Sequence, residues 1–276
     1  MSSASFRLRC PHRRRTPRVS ASCFGSAFAL GIVAGAAGLS PGSARGFGDP
    51  TRVDVRALDY AGGQPAPRPS APRRLAWELR KRTSVSTRLE SSRVRLDEPA
   101  LFDSPFLYWA GDGAFPPLSE DEVRGLRRFV RYGGALVVDD ANPGDGGFLA
   151  SARRALARAF PETPIGRVAR DHVLYRSFYL VPRPVGRVEG PDHLDGIELD
   201  GRLAVVLSAH DLGGAWARDN LGGWRHPVDP GGERQREMAI RLGVNLLMYA
   251  LCLDYKDDQV HVPFILRRRG GRGGLP

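Results

Sequence analysis

Two rhythms of apolar and polar positions alternate along this chain. Val53-Asp54-Val55-Arg56-Ala57-Leu58 switches character at every residue, which predicts a first, half-buried strand. Residues 62–72 are rich in Pro and Gly and break the pattern, so they read as a loop. Over residues 73–82, Leu75, Leu79 and Trp77 predict a helix. Phe106-Leu107-Tyr108-Trp109-Ala110 is a short apolar run that ends in Gly111-Asp112-Gly113, as a buried strand does. The clearest unit comes next. Ser119-Glu120-Asp121-Glu122 has the form of a capping box, in which the hydroxyl accepts a backbone N–H and Glu122 reaches back. Val123, Leu126, Phe129 and Val130 form one stripe, Arg127, Arg128 and Arg131 fill the last turns, and Gly133-Gly134 stops the helix. Ala135-Leu136-Val137-Val138 then predicts an internal parallel strand running out at Asp139-Asp140.

The later half repeats the alternation. A helix is predicted over residues 148–160, ended by Pro161. Ile197-Glu198-Leu199 and Leu203-Ala204-Val205-Val206-Leu207 flank Asp200-Gly201, a hairpin-turn signal. Residues 211–232 read as a glycine-rich loop. A long helix over 233–252 follows, with Met238, Leu242, Leu246 and Tyr249 on its apolar face. Val260, Val262, Phe264 and Leu266 alternate like a strand, and residues 267–276 read as a disordered Gly/Arg-rich tail. Strands alternating with helices predict an α/β domain over residues 45–266, a doubly wound, mostly parallel open sheet with helices on both faces. Ligands of such sheets bind beyond the strand C-termini.

Charge changes the picture less than its total suggests. Of the formal net charge of +11, six arginines fall within residues 1–44, which hold no carboxylate, and Arg267, Arg268, Arg269 and Arg272 add four. The remainder is close to neutral, which argues against nucleic acid as a partner, since such binders concentrate basic residues on one face. Residues 1–44 themselves read as an export signal: Arg7 to Arg18 supply a positive region, residues 21–39 an uncharged small-and-apolar stretch, and Gly42-Ser43-Ala44 a cleavage site. The competing reading is a retained anchor, in which residues 20–39 are the only contact with the membrane. Either way the expected address is the periplasm or cell envelope, with other envelope proteins as the partner class. Cys10 and Cys23 lie in that segment. A cleaved chain keeps only Cys252, on the predicted last helix where it reads as core, so no intrachain disulfide forms.

Three predicted strands end in acids: Asp112, the pair Asp139-Asp140, and Asp211 after His210. In a parallel sheet these ends share one edge, where carboxylates can hold a divalent cation or act as acid and base. Asp139, Asp140 and Asp211 are the candidate metal ligands. The alternative is local: an acid after a strand caps the next helix or braces a turn. Consecutive strand residues face opposite ways, so only one of Asp139 and Asp140 can face a cleft. No nucleophile elbow, Walker loop or dinucleotide fingerprint is present. His172 reads as a structural hydrogen-bonder. Trp216 and Trp224, in the glycine-rich loop, either stack on a sugar or pin the loop to the body.

Several blocks in order carry a resemblance. Pro105-Phe106-Leu107-Tyr108-Trp109-Ala110-Gly111-Asp112-Gly113, Gly133-Gly134-Ala135-Leu136-Val137-Val138-Asp139-Asp140 and Asp171-His172-Val173-Leu174-Tyr175-Arg176-Ser177-Phe178-Tyr179 are three of them. Ser208-Ala209-His210-Asp211-Leu212-Gly213-Gly214-Ala215-Trp216 and Arg241-Leu242-Gly243-Val244-Asn245-Leu246-Leu247-Met248-Tyr249-Ala250-Leu251 complete the set. Together they resemble the bacterial domain-of-unknown-function family 4159. The resemblance implies a flavodoxin-like fold related to class I glutamine amidotransferases, often found in the envelope. Amidotransferases carry a cysteine nucleophile after a central strand, whereas Asp139-Asp140 stands at that exit here, which counts against glutaminase chemistry. The leading expectation is a non-catalytic binding or assembly module. The alternatives are a metal-assisted hydrolase using the strand-end carboxylates and a carbohydrate-binding module.

Overall fold

The computed structural model describes residues 52–62, 67–90 and 92–270, with side chains to residue 252. The expected signal over residues 1–44 and the last six residues of the expected tail lie outside them. Seven strands form one sheet: β1 (Arg56–Asp59), β2 (Arg93–Arg95), β3 (Phe106–Gly111), β4 (Ala135–Asp140), β5 (Gly166–Arg167), β6 (Asp195–Leu199) and β7 (Arg202–Ser208), in the order β2-β1-β3-β4-β7-β6-β5. β2, β1, β3, β4 and β7 are parallel, and β6 and β5 add an antiparallel margin. The helices are α1 (Ala71–Arg82), α2 (Glu120–Arg131), α3 (Gly147–Ala159), α4 (Leu212–Trp216) and α5 (Gly232–Gly270). Strand order turns back between β1 and β3, so the sheet is wound both ways from that point.

The β3–α2–β4 unit shows why these residues make these elements. Ser119 accepts the Glu122 amide at 3.2 Å, and Glu122 accepts the Ser119 amide at 2.8 Å, so two donors that the first turn leaves orphaned are satisfied. Gly133 takes φ 104°, a left-handed angle that ends the helix and turns the chain into β4. β4 is buried throughout and pairs with β3 from Phe106↔Ala135 to Gly111↔Asp140. Alternation then sorts the side chains. Phe106, Tyr108, Ala135 and Val137 join a core with α1, α4 and α5, and Leu107, Trp109, Leu136 and Val138 join a second core with α2 and α3. The sheet is thus covered on both faces, as the run of apolar residues in β4 requires.

Three sequence expectations are corrected, and two strands had gone unread. β2 and β5 were invisible in the pattern, because three and two residues carry too little alternation. The loop expected over residues 211–232 begins with the short helix α4. The strand expected from Val260 to Leu266 is part of α5, which runs to Gly270 and so takes in the first residues of the expected tail. A short alternating segment with no strand beside it satisfies its backbone by continuing the helix. Cys252, expected in the core, is exposed on α5. Among the described residues no helix is long and apolar enough to cross a membrane.

Candidate functional site

β4 and β7 run side by side with Asp139 opposite Ser208, so the residues that leave them emerge together on the C-terminal edge of the sheet. Asp139 shares a face with Ala135 and Val137, toward α4, and Asp140 points to the α3 side. Asp139, Asp140 and Asp211 are each 0% exposed. Three buried carboxylates at one edge demand partners, because an unpaired buried charge costs several kcal/mol, on the order of the stability of a whole domain.

Asp139 finds its partners in α4. Its Oδ1 accepts the Leu212 amide at 2.9 Å, and its Oδ2 accepts the Gly213 amide at 2.8 Å and the Tyr108 hydroxyl at 2.6 Å. A side chain at Gly213 would collide with that hydroxyl, so the close approach needs glycine. Burial, and then the charge of Asp211, push the Asp139 carboxyl up to about 7, against the pull of its three hydrogen bonds. Burial and then Asp139 raise the Tyr108 phenol well above its ordinary value, so it remains a donor.

Asp211 sits at left-handed φ 51° and caps α4 by accepting the Gly214 amide at 2.8 Å. Arg68 grips the same carboxylate with two prongs, Nε at 3.0 Å and Nη2 at 2.8 Å, and Arg187 Nε closes on Oδ2. Arg68 Nη2 also donates to Ala141 O at 3.0 Å, which fastens the exit of β4. Asp211 with its two guanidiniums and Asp139 with its amides and phenol therefore form one knot, joined through the first turn of α4, whose bonds run within the protein. Arg68, Arg187 and Tyr108 had no local signal. The Arg68–Asp211 contact spans 143 positions of chain.

The remaining candidates fall outside the knot. Asp140 Oδ1 accepts the Asn142 amide at 2.9 Å and so braces the turn into α3. Its Oδ2 is buried with no hydrogen-bond partner among the described residues, and burial raises its carboxyl above the usual range. His210 is sealed: Nε2 donates to Pro191 O at 2.9 Å, and Nδ1 lies 3.3 Å from Ser208 Oγ. A serine beside an imidazole resembles a nucleophile with its base, but both are 0% exposed, and a carbonyl stands where an orienting carboxylate would be. Burial holds the ring below its ordinary value and therefore neutral. Asp112 is partly exposed after β3 and stays apart; its charge, after burial, helps push the Tyr60 phenol to about 12. His172 accepts the Leu174 amide at 3.1 Å and packs edge-on to Tyr249, a structural role.

Of the two readings of Trp216, the pinning one holds: it is buried, its ring packs on Tyr108 and its Nε1 donates to Ala239 O at 3.0 Å. Gly213 and Gly214, which made its segment look like a loop, instead let α4 approach Tyr108 and the Asp211 carboxylate. Trp224 is only partly buried and lies among arginines. Among the described residues no three or more His, Cys, Asp or Glu side chains come together to hold a metal ion.

Sheet order, two cores and a braced C-terminal edge define an α/β protein with a mostly parallel sheet in which Asp139, Asp140 and Asp211 are tied into the fold. Residues 54–251 match the family described as a domain of unknown function, DUF4159, and the chain belongs to that family. No curated protein matches the chain.

Proposed function

We propose that this chain is a non-catalytic binding or assembly module of the bacterial cell envelope, built on a flavodoxin-like, amidotransferase-like fold. One observation carries the non-catalytic part: Asp139 and Asp211 are sealed from solvent and committed to backbone amides, a phenol and two arginines. A catalytic carboxylate must reach a substrate proton or a cation, and these reach neither without breaking the knot. At the exit where an amidotransferase would carry its cysteine, this chain has Asp139-Asp140. The envelope address is supported by the arginine-rich start followed by the uncharged apolar stretch 21–39.

Melting curves of the full chain with Mg²⁺, Ca²⁺ or Mn²⁺ test the reading, because a ligand bound only by the native state raises its stability by mass action. No cation is expected to shift the transition. A shift that Asp211→Asn abolishes would overturn the proposal in favour of metal-assisted hydrolysis.

A further inference from the structure

The chain after α4 folds back on itself between Ala217 and Arg225. Arg218 and Trp224 pair across this small hairpin, Arg225 N donates to Ala217 O at 3.0 Å, and Asp219 N donates to Gly223 O at 2.9 Å. Asp219 Oδ1 accepts the amides of Leu221 and Gly223 at 2.9 and 2.7 Å, so the turn is held from within. The Ser70 hydroxyl ties its base to the start of α1, accepting Arg218 N at 3.0 Å and donating to Arg218 O at 2.8 Å. Trp224 is therefore fixed in place.

Three guanidiniums gather on its ring. The Cζ atoms of Arg218, Arg236 and Arg74 lie 3.2, 4.2 and 5.3 Å from the Trp224 centroid, and Arg74 also covers Trp77 at 4.0 Å. A single indole face attracts one cation well, and a second and third repel the first. Arg236 is neutralised by Glu233 and bonded to the carbonyls of Ala215 and His226. Arg74 shares Glu78 with Arg82. Arg218 has no carboxylate within ion-pair distance among the described residues; its guanidinium donates to Gly222 O alone, at 2.8 Å. The Nε atoms of both Arg74 and Arg218 are buried without a hydrogen-bond partner among those residues. Burial, and then the charge of Arg74, hold Arg218 below its ordinary value. Arg74, Arg218 and Trp224 are each partly exposed, so the outer side of the cluster reaches solvent.

We propose that Arg218 and Arg74, arranged around Trp224, bind a phosphate group. A tetrahedral dianion offers oxygens in several directions and can take donors from two guanidinium forks at once, whereas one carboxylate fills a single fork. The site uses none of the strand-end acids, so it stands or falls apart from the reading given above.

Isothermal titration of the full chain with inorganic phosphate, with glycerol phosphate and with acetate, at ionic strength held constant with sodium chloride, tests this. Both phosphates should bind saturably and acetate should bind at least about tenfold more weakly. Arg218→Ala should weaken phosphate binding by roughly tenfold or more, and Arg218→Lys should recover only part, since it keeps the charge and loses the fork. Arg74→Gln is the second variant should Arg218→Ala fail to fold. Sedimentation with phosphatidic acid vesicles against phosphatidylcholine vesicles separates the sources: selective pelleting assigns the phosphate to a lipid headgroup, and its absence beside binding of free phosphate assigns it to a soluble ligand. No saturable binding of either phosphate, equal binding of acetate, or binding unchanged in both variants would overturn the proposal.

Discussion

The Asp139–Asp211 knot and the Trp224 cluster lie close together, joined through the stretch from Arg68 to Ser70, yet they treat charge in opposite ways. In the knot, Arg68 and Arg187 close on Asp211 and the backbone of α4 closes on Asp139, all inside the fold. Around Trp224, cations outnumber acids, and Arg218 keeps donors that nothing in the described fold accepts. A closed set of charges has its energy invested in the native structure. An open set retains capacity for an outside group. The same residue types therefore mean architecture in one place and recognition in the other.

The largest expected effect breaks the closed side. Arg68→Ala leaves Asp211 buried with one guanidinium and frees Ala141 O, and breaking a buried pair from one side costs about 3–5 kcal/mol. Urea denaturation should show that loss; a cost below about 1 kcal/mol would make the knot a surface pair in effect.

Asp139→Asn comes next. Its amide keeps one acceptor oxygen and sets an NH2 group either against the Leu212 amide or against Gly213 N–H and the Tyr108 hydroxyl, and stability should fall by about 1–3 kcal/mol. The same variant carries a pH signature. The Asp139 carboxyl stands at about 7 in the fold against 3.8 in the free chain, so between those values the folded state binds more protons than the unfolded one. Stability from this group is fully present below 3.8 and is lost as pH rises toward 7. Wild-type stability measured across that window should decline more steeply than that of Asp139→Asn. Parallel profiles would show that Asp139 ionises in the fold as it does in water.

The smallest effect sharpens the open side. In chloride buffer without phosphate, Arg218→Ala should change stability by no more than about 0.5 kcal/mol, because its loss also relieves repulsion from Arg74 and Arg236. A loss comparable to that of Arg68→Ala would place Arg218 with the architecture.

What could be read from the sequence follows the range of the forces involved. Ser119, the stripe from Val123 to Val130, Gly133 and the run into Asp139 speak within one turn or one strand of each other, and the structure places all of them as read. The strand-end position of Asp139, Asp140 and Asp211 was legible for the same reason. The local reading, that such acids cap a helix or brace a turn, holds for Asp211 and Asp140; the remaining partners of Asp139 and Asp211 were not legible, because they come from β3, from the segment before α1 and from the loop near Arg187. The helix α4 was hidden for a related reason: Gly213 and Gly214 disfavour a helix locally, and a carboxylate 73 positions earlier anchors its first turn. For Trp216 the residue type left stacking and pinning both open, and its contacts with Tyr108 and Ala239 decide for pinning. Even Gly243 on α5 serves that ring, since a side chain there would come within 2.7 Å of it.

Asp139 and Asp140 also act as a lock on alignment. One serves the layer of α4 and the other the layer of α3, and each meets a different set of donors. A slip of β4 by one residue would put Val138 before the amides of Leu212 and Gly213, and would carry a carboxylate into the apolar packing of the opposite layer. Apolar strands slide past one another at modest cost, and Leu136-Val137-Val138 alone would choose its neighbours weakly. Two adjacent acids with unlike obligations leave β4 a single setting between β3 and β7.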